Sequence, residues 1–212
     1  MIAIIYTSSA ILRRRKPAMR RSAEEKAETR RQIVRTAGRM IRGRGLAETG
    51  VAEVMAEAGL THGGFYRHFA SKEDLAAAAV EAAFAHMRAR LEAITAKAPP
   101  GKRLEALIET YLTEAHRDQP ELGCVMASVG MEAQRAGGVV QAAYEDGIAR
   151  LLGLLADQIA APTRRQQEDR AQAVLAIMVG GLLLARALRG DATASRRALA
   201  NARKAALKLV TS

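Results

Sequence analysis

Glu48 to Leu75 reads ETGVAEVMAEAGLTHGGFYRHFASKEDL, and this stretch decides the fold. Val51, Val54, Met55 and Ala58 recur at i, i+3, i+4 and i+7, which is one face of a helix. Thr49 is placed to cap its start, and Gly59 to end it in the left-handed conformation. Leu60 follows as an apolar plug, and Thr61 is placed to cap a second short helix, roughly residues 62–68. That helix is polar on one side and carries Phe65 and Phe69 on the other. Ser71 with Asp74 three residues on is capping-box-like and opens a third, long helix.

Two short helices joined by a turn with a glycine in it are the signature of a helix-turn-helix. The second helix has to bring small, polar and basic groups into a groove about 12 Å wide. Gly63 and Gly64 each lower helix propensity by roughly 1 kcal/mol against Ala. Close approach of backbone to a phosphate or base edge is one reason for two of them in so short a helix; a frayed surface turn is the other.

Charge agrees with a polyanion partner. The 212-residue chain has a net charge of +11 and a pI near 10.5. Residues 1–70 hold 14 Lys and Arg against 6 Asp and Glu, whereas the remainder holds 19 against 16. A basic first third on a nearly neutral body is the footprint of a nucleic-acid-binding module. Ala and Leu dominate and aromatics are 3%, which points to an all-α core. The single cysteine, Cys124, excludes an intrachain disulfide. His62, His68, His86 and His116 lack zinc-ligand spacing, so no metal and no cofactor is expected. There is no Gly-x-Ser-x-Gly, P-loop, HExxH or strand-borne Rossmann fingerprint, and Glu132 and Glu145 are isolated; an enzyme is not expected.

The stretch AEAGLTHGGFYRHFASKEDL resembles the N-terminal domain of TetR/AcrR-type transcriptional regulators. The resemblance extends upstream through Thr29–Ile33 and covers about sixty residues; His62 departs from the Lys or Arg common in relatives. It implies a homodimeric, double-stranded-DNA-binding regulator in the cytoplasm, most simply a repressor released by a small-molecule effector. It implies that Thr49, Thr61, Tyr66 and Lys72 contact phosphates. His62, Gly63, Gly64 and His68 would lie nearest the bases or adjoining backbone. It also implies that the two C-terminal helices form the dimer interface.

The expected domains are a basic extension over 1–22, a three-helix DNA-binding unit over 23–87 with its motif at 50–69, and a ligand-binding and dimerisation body over 88–212. The extension begins with an apolar dozen followed by Arg13-Arg14-Arg15-Lys16, the reverse of a signal peptide's order. Met19 is the alternative start. Ser22 with Glu25 reads as a capping box for a helix over 23–44, burying Ala27, Ile33, Val34, Ala37, Met40 and Ile41. Its outer face would carry Lys26, Arg30, Arg31, Arg35, Arg39 and Arg42, with Arg30 and Arg31 near the DNA backbone. The third helix of the motif should turn Leu75, Ala79 and Ala82 inward and stop at Ala98-Pro99-Pro100-Gly101. The body reads as helices over 104–115, 122–135, 139–159, 164–188 and 193–210. Residues 171–188 are nearly all apolar, expected to form a helix shared between core and interface and not a membrane span.

Ligand-lining candidates are Phe84, Met87, Tyr111, His116, Cys124, Met126, Met131 and Tyr144. Cys124 near a helix start suggests a lowered pKa and an alternative reading as a thiol-based oxidant or electrophile sensor. A non-specific basic DNA-binding protein is the remaining alternative.

Overall fold

The computed structural model describes the backbone of residues 18–211 and the side chains of residues 22–210. The expectations placed on residues 1–17, including the basic run from Arg13, lie outside the described residues. Among those described, every regular element is helical.

Helix α1 spans Ala18–Arg44, so it begins before Ser22 and that residue is not its cap. Ile33, Val34, Ala37 and Ile41 are buried as their spacing predicts. Ala27, also expected on the buried face, is exposed. Helix α2 spans Val51–Glu57 and buries Val54 and Met55. Gly50, not Thr49, is its N-cap. Glu53 accepts from the Gly50 amide at 3.4 Å and from Arg44 at 2.5 Å.

The turn after α2 is a Schellman motif. Gly59 adopts φ +70°, its amide donates to Ala56 O at 2.9 Å, and the Leu60 amide donates to Met55 O at 2.8 Å. The next element, His62–Arg67, is a 3₁₀ helix of six residues. Helix α3 spans Lys72–Lys97. Ser71 Oγ accepts from the Asp74 amide at 3.1 Å as expected of the cap, while Asp74 Oδ2 accepts from the Ala70 amide at 3.2 Å, one residue before the N-cap. Leu75 and Ala79 face inward, but Ala82 is exposed and its neighbour Ala83 takes the buried position.

The body departs from the sequence reading in two places: in the stripe before Pro120, and at the start of the next helix, expected at Leu122 and found at Met126. The stripe Leu104–Leu112 does not continue to residue 115 as one helix. Helix α4 spans Arg103–Tyr111, and a one-turn helix α5, Glu114–Asp118, restarts after Thr113 caps the His116 amide at 3.2 Å. Ala115 is consequently exposed. A 3₁₀ turn, Pro120–Leu122, precedes α6, which spans Met126–Ala136. Helices α7, Gly138–Ala156, α8, Arg164–Ala187, and α9, Ala192–Thr211, complete the chain.

Helices α3 and α7 pack closely. A Cβ at Gly147 would lie 2.2 Å from Phe84 Cδ2, so only glycine admits that ring. Helices α8 and α9 form the other tight pair, with Gly181 against Ala202. By length and composition α8 could cross a membrane. Here Ala171, Val174, Leu175, Met178, Leu182 and Ala185 instead lie in the core. Leu183 and Leu184 remain about half exposed, and among the described residues no atom beyond the helix's own backbone lies within 4 Å of a Cβ built at Gly180.

Candidate nucleic-acid interface and effector pocket

The 3₁₀ helix is held from below by its aromatics. Phe65 and Phe69 are buried and stack at 5.7 Å. Arg30 of α1 lies over the Phe69 ring, 4.8 Å from its centroid, a cation–π contact that fixes α1 against the motif. Gln32 of α1 donates to Ala58 O at 2.9 Å, bracing the turn. Alternation of anchor and edge then turns Thr61, His62, Gly63, Tyr66 and Arg67 outward. Tyr66 is 71% exposed, its ring packing edge-on against His62 and Phe65. Among the described residues no atom beyond the local backbone lies within 4 Å of a Cβ built at Gly63, and Gly64 meets only ordinary contacts, so crowding among them requires neither glycine.

Thr61 sits at the N-cap position without a side-chain capping bond, which leaves its hydroxyl at the surface. Lys72 reaches Ala47 O at 3.4 Å, with ammonium donors to spare at the N-terminus of α3. Thr49 is the exception among the predicted contacts. It is buried, and its hydroxyl donates to Gly45 O at 2.6 Å, so its side chain braces the turn between α1 and α2. His68 is half-buried, and its buried Nδ1 has no hydrogen-bond partner among the described residues. Burial, then the charges of Lys26, Arg30 and Arg67, lower its pKa. Lys26 and Arg30 of α1 thus join Arg67 of the 3₁₀ helix itself in a positive rim beside the motif. Arg31 and Arg35 pair with Glu28 on the solvent face of α1.

In the body, Met87, Tyr111, His116 and Cys124 converge on one pocket of about 40 Å³. Phe84 and Tyr144 pack together elsewhere, ring centroids 5.5 Å apart, between α3 and α7. Met126 is buried outside the pocket, and Met131 is exposed, so the expectation that either lines it fails. Sequence spacing missed Arg42, His86, Arg90 and Leu91, which also line it. Arg42 was expected on the outer face of α1. It is half-buried, and its Nε donates to Glu121 O at 3.0 Å, tying the DNA-binding unit to the body.

A second tie runs from the Leu46 amide to Glu132 Oε2 of α6, at 2.7 Å. Gly45, at φ +98°, makes room for it, because a Cβ there would lie 2.7 Å from Glu132 Oε1. The sequence offered Glu132 only as an isolated acid.

His116 organises the pocket floor. Its Nδ1 lies 2.7 Å from Tyr111 O, and its Nε2 accepts from the Cys124 amide at 3.0 Å. An amide can only donate, so the ring is neutral with its proton on Nδ1. Burial lowers the His116 pKa in keeping with that. Arg186 of α8 donates to His116 O at 3.0 Å, joining this floor to the last helix pair. Cys124 lies ahead of α6, not within its first turn, and is buried. Burial raises its thiol pKa, the reverse of the expectation from a helix start.

Residues 33–79 match the model of the bacterial regulatory proteins, tetR family. Two curated relatives from Pseudomonas putida are each 41% identical over 63 residues, 30% of this chain and 30% of theirs. They are the HTH-type transcriptional regulator TtgR and the probable HTH-type transcriptional regulator ArpR. The chain thus matches about a third of the length of these relatives. Solved structures extend the likeness in fold. The reduced form of E. coli NemR superposes with a TM-score of 0.72 at 21% identity, over 86% of this chain and 97% of that one. A TetR-family regulator from Cytophaga hutchinsonii gives 0.74 at 19%, over 89% and 98%.

Proposed function

We propose, for a chain that belongs to the TetR family through its N-terminal domain, a homodimeric, sequence-specific DNA-binding regulator of transcription. It acts in the cytoplasm as a repressor, released from a near-palindromic operator by a small molecule. The observation that carries this reading is the exposed edge of the 3₁₀ helix, held by buried Phe65 and Phe69 and free of internal contacts at Gly63. An edge that crowding does not explain is one that another surface can approach.

Thr61, Tyr66 and Lys72 supply phosphate donors in this reading, and His62, Gly63, Gly64 and His68 lie toward the bases. Phosphate contacts set register and affinity; base contacts set sequence. The dimer forms through α8 and α9, where Ala176, Gly180, Leu183, Leu184 and Ala187 leave an exposed apolar stripe. Two reading helices on a twofold axis require half-sites about one helical turn apart.

Gel shifts at stated salt test the reading, with DNA from upstream of the protein's own gene against scrambled duplexes of equal length. Footprinting then locates the site. Equal affinity for both sets removes the sequence-specific reading and leaves the non-specific one. Sedimentation of Leu184→Glu should give a monomer; an intact dimer would move the interface elsewhere.

A further inference from the structure

The pocket on which the effector reading rests has an uneven charge. Arg42, His86, Arg90 and His116 line it, and among the described residues no Asp or Glu does. Among the described residues neither Arg42 nor Arg90 makes an ion pair within 4.0 Å. Arg42 is half-buried, and burial is the largest influence on its pKa, lowering it; the Glu121 carboxylate acts on it only from a distance. The charge of Arg90 reaches inward as far as His116. A guanidinium withdrawn from water without an anionic partner is unfavourable, and an incoming anion would relieve it.

A second observation is Tyr111. It is buried, 7% exposed, and its hydroxyl meets no oxygen or nitrogen acceptor among the described residues, only the Cys124 thiol. Sulfur is a weak acceptor. A buried O–H with only a thiol to donate to calls for an explanation. Met87 and Leu91 make the surface between these polar groups apolar.

We propose that this pocket binds a small amphipathic carboxylate. Its oxygens accept from Arg42, Arg90 and the Tyr111 hydroxyl, and its apolar body lies against Met87 and Leu91. Guanidinium–carboxylate pairs are short and charge-assisted, and frequently bidentate. A volume of about 40 Å³ favours a compact acid. The proposal rests on the effector reading and adds a mechanism to it. Arg42 belongs to α1, and in this state its Nε is bonded to Glu121 O. A carboxylate competes with that carbonyl for the same guanidinium, so the ligand would loosen one of the two ties between the DNA-binding unit and the body. A ligand shifts an equilibrium only through such a difference between states.

Calorimetry on the full chain tests it, with acetate, butyrate and benzoate as probes of rising size and acetamide, butyramide and benzamide as uncharged counterparts. At least one acid should bind ten-fold or more tightly than its amide. That affinity should fall at least five-fold in Tyr111→Phe, which removes only one oxygen, and in Arg90→Gln at the rim. Amides binding as well as acids, no binding by any acid, or full acid affinity in both variants would overturn the proposal. A parallel gel shift separates it from the reading beneath it. Acid binding that leaves DNA affinity unchanged keeps the anion site and removes the effector role. DNA release by an amide alone, blocked by Tyr111→Trp, keeps the effector role and removes the anion.

Discussion

Two adjacent-glycine pairs, Gly63-Gly64 and Gly180-Gly181, stand in helices at opposite ends of the chain and are there for different reasons. At the first pair a Cβ would meet open space or ordinary contact. At the second, a Cβ on Gly181 would lie 2.2 Å from Ala202 Cβ, while Gly180 faces outward into open space. The dipeptide is the same in the sequence. In one helix its smallness is unused within the chain and available to a partner; in the other, half of it is consumed by packing. A glycine therefore marks a close approach without saying to what.

Gly181→Ala should produce the largest change, because Ala202 offers no flexible end to move aside. Overpacking of this kind costs about 1–3 kcal/mol, a fall of several degrees in Tm at this chain length. Thermal unfolding measures it, and Ala202→Gly in the same chain should restore most of the loss. Failure of that rescue would place the strain elsewhere and break the contrast between the two pairs.

At the other pair the effect belongs to DNA. Tyr66→Phe or Lys72→Ala should weaken binding by about 1–2 kcal/mol, roughly five- to thirty-fold, with little change in Tm. The loss should be uniform over operator variants, as phosphate contacts carry no sequence. Loss confined to one base position in a binding-site scan would make either residue a base reader.

Gly63→Ala sharpens the contrast most directly. With no positive φ at Gly63 and nothing near its added methyl, stability should rise by about 0.4–1 kcal/mol. Operator affinity should fall together with that gain. Rising stability with unchanged affinity would mean that the glycine faces water and nothing else.

The smallest effect is a pH dependence. Folding lowers the pKa of His116 and of His68, so the unfolded chain binds more protons just below pH 6.5. The stability held by their neutral forms is complete above about pH 6.5 and is lost as pH falls toward their folded values. His116→Gln should flatten part of that slope in denaturant titrations and leave the His68 share. An unchanged slope would show that His116 is not neutral in the folded chain.

The motif was the most legible part of the molecule, because its signals are local. Gly59 must be left-handed to close the turn, Ser71 and Asp74 cap their own helix, and Phe65 and Phe69 repeat at helical spacing. Thr49 illustrates the limit. Its residue type suits a cap or a phosphate, and only the fold of the α1–α2 turn buries it against Gly45 O. The pocket was half legible for the same reason. Met87, Tyr111, His116 and Cys124 were apolar or ambivalent enough to be suspected, whereas Arg42 on a basic helix face looked like a solvated charge.

By itself the sequence determined an all-α chain, where most helices start and stop, and a basic helix-turn-helix at its head. Capping, left-handed glycines and 3.6-residue periodicity act within a few residues, so they are written in order along the chain. The tertiary structure decided that α4 and α5 separate, that Cys124 is buried with a raised pKa, and that Arg42 and Glu132 join the two halves. Those outcomes depend on burial and on partners some eighty residues away, and neither is fixed until the helices have packed.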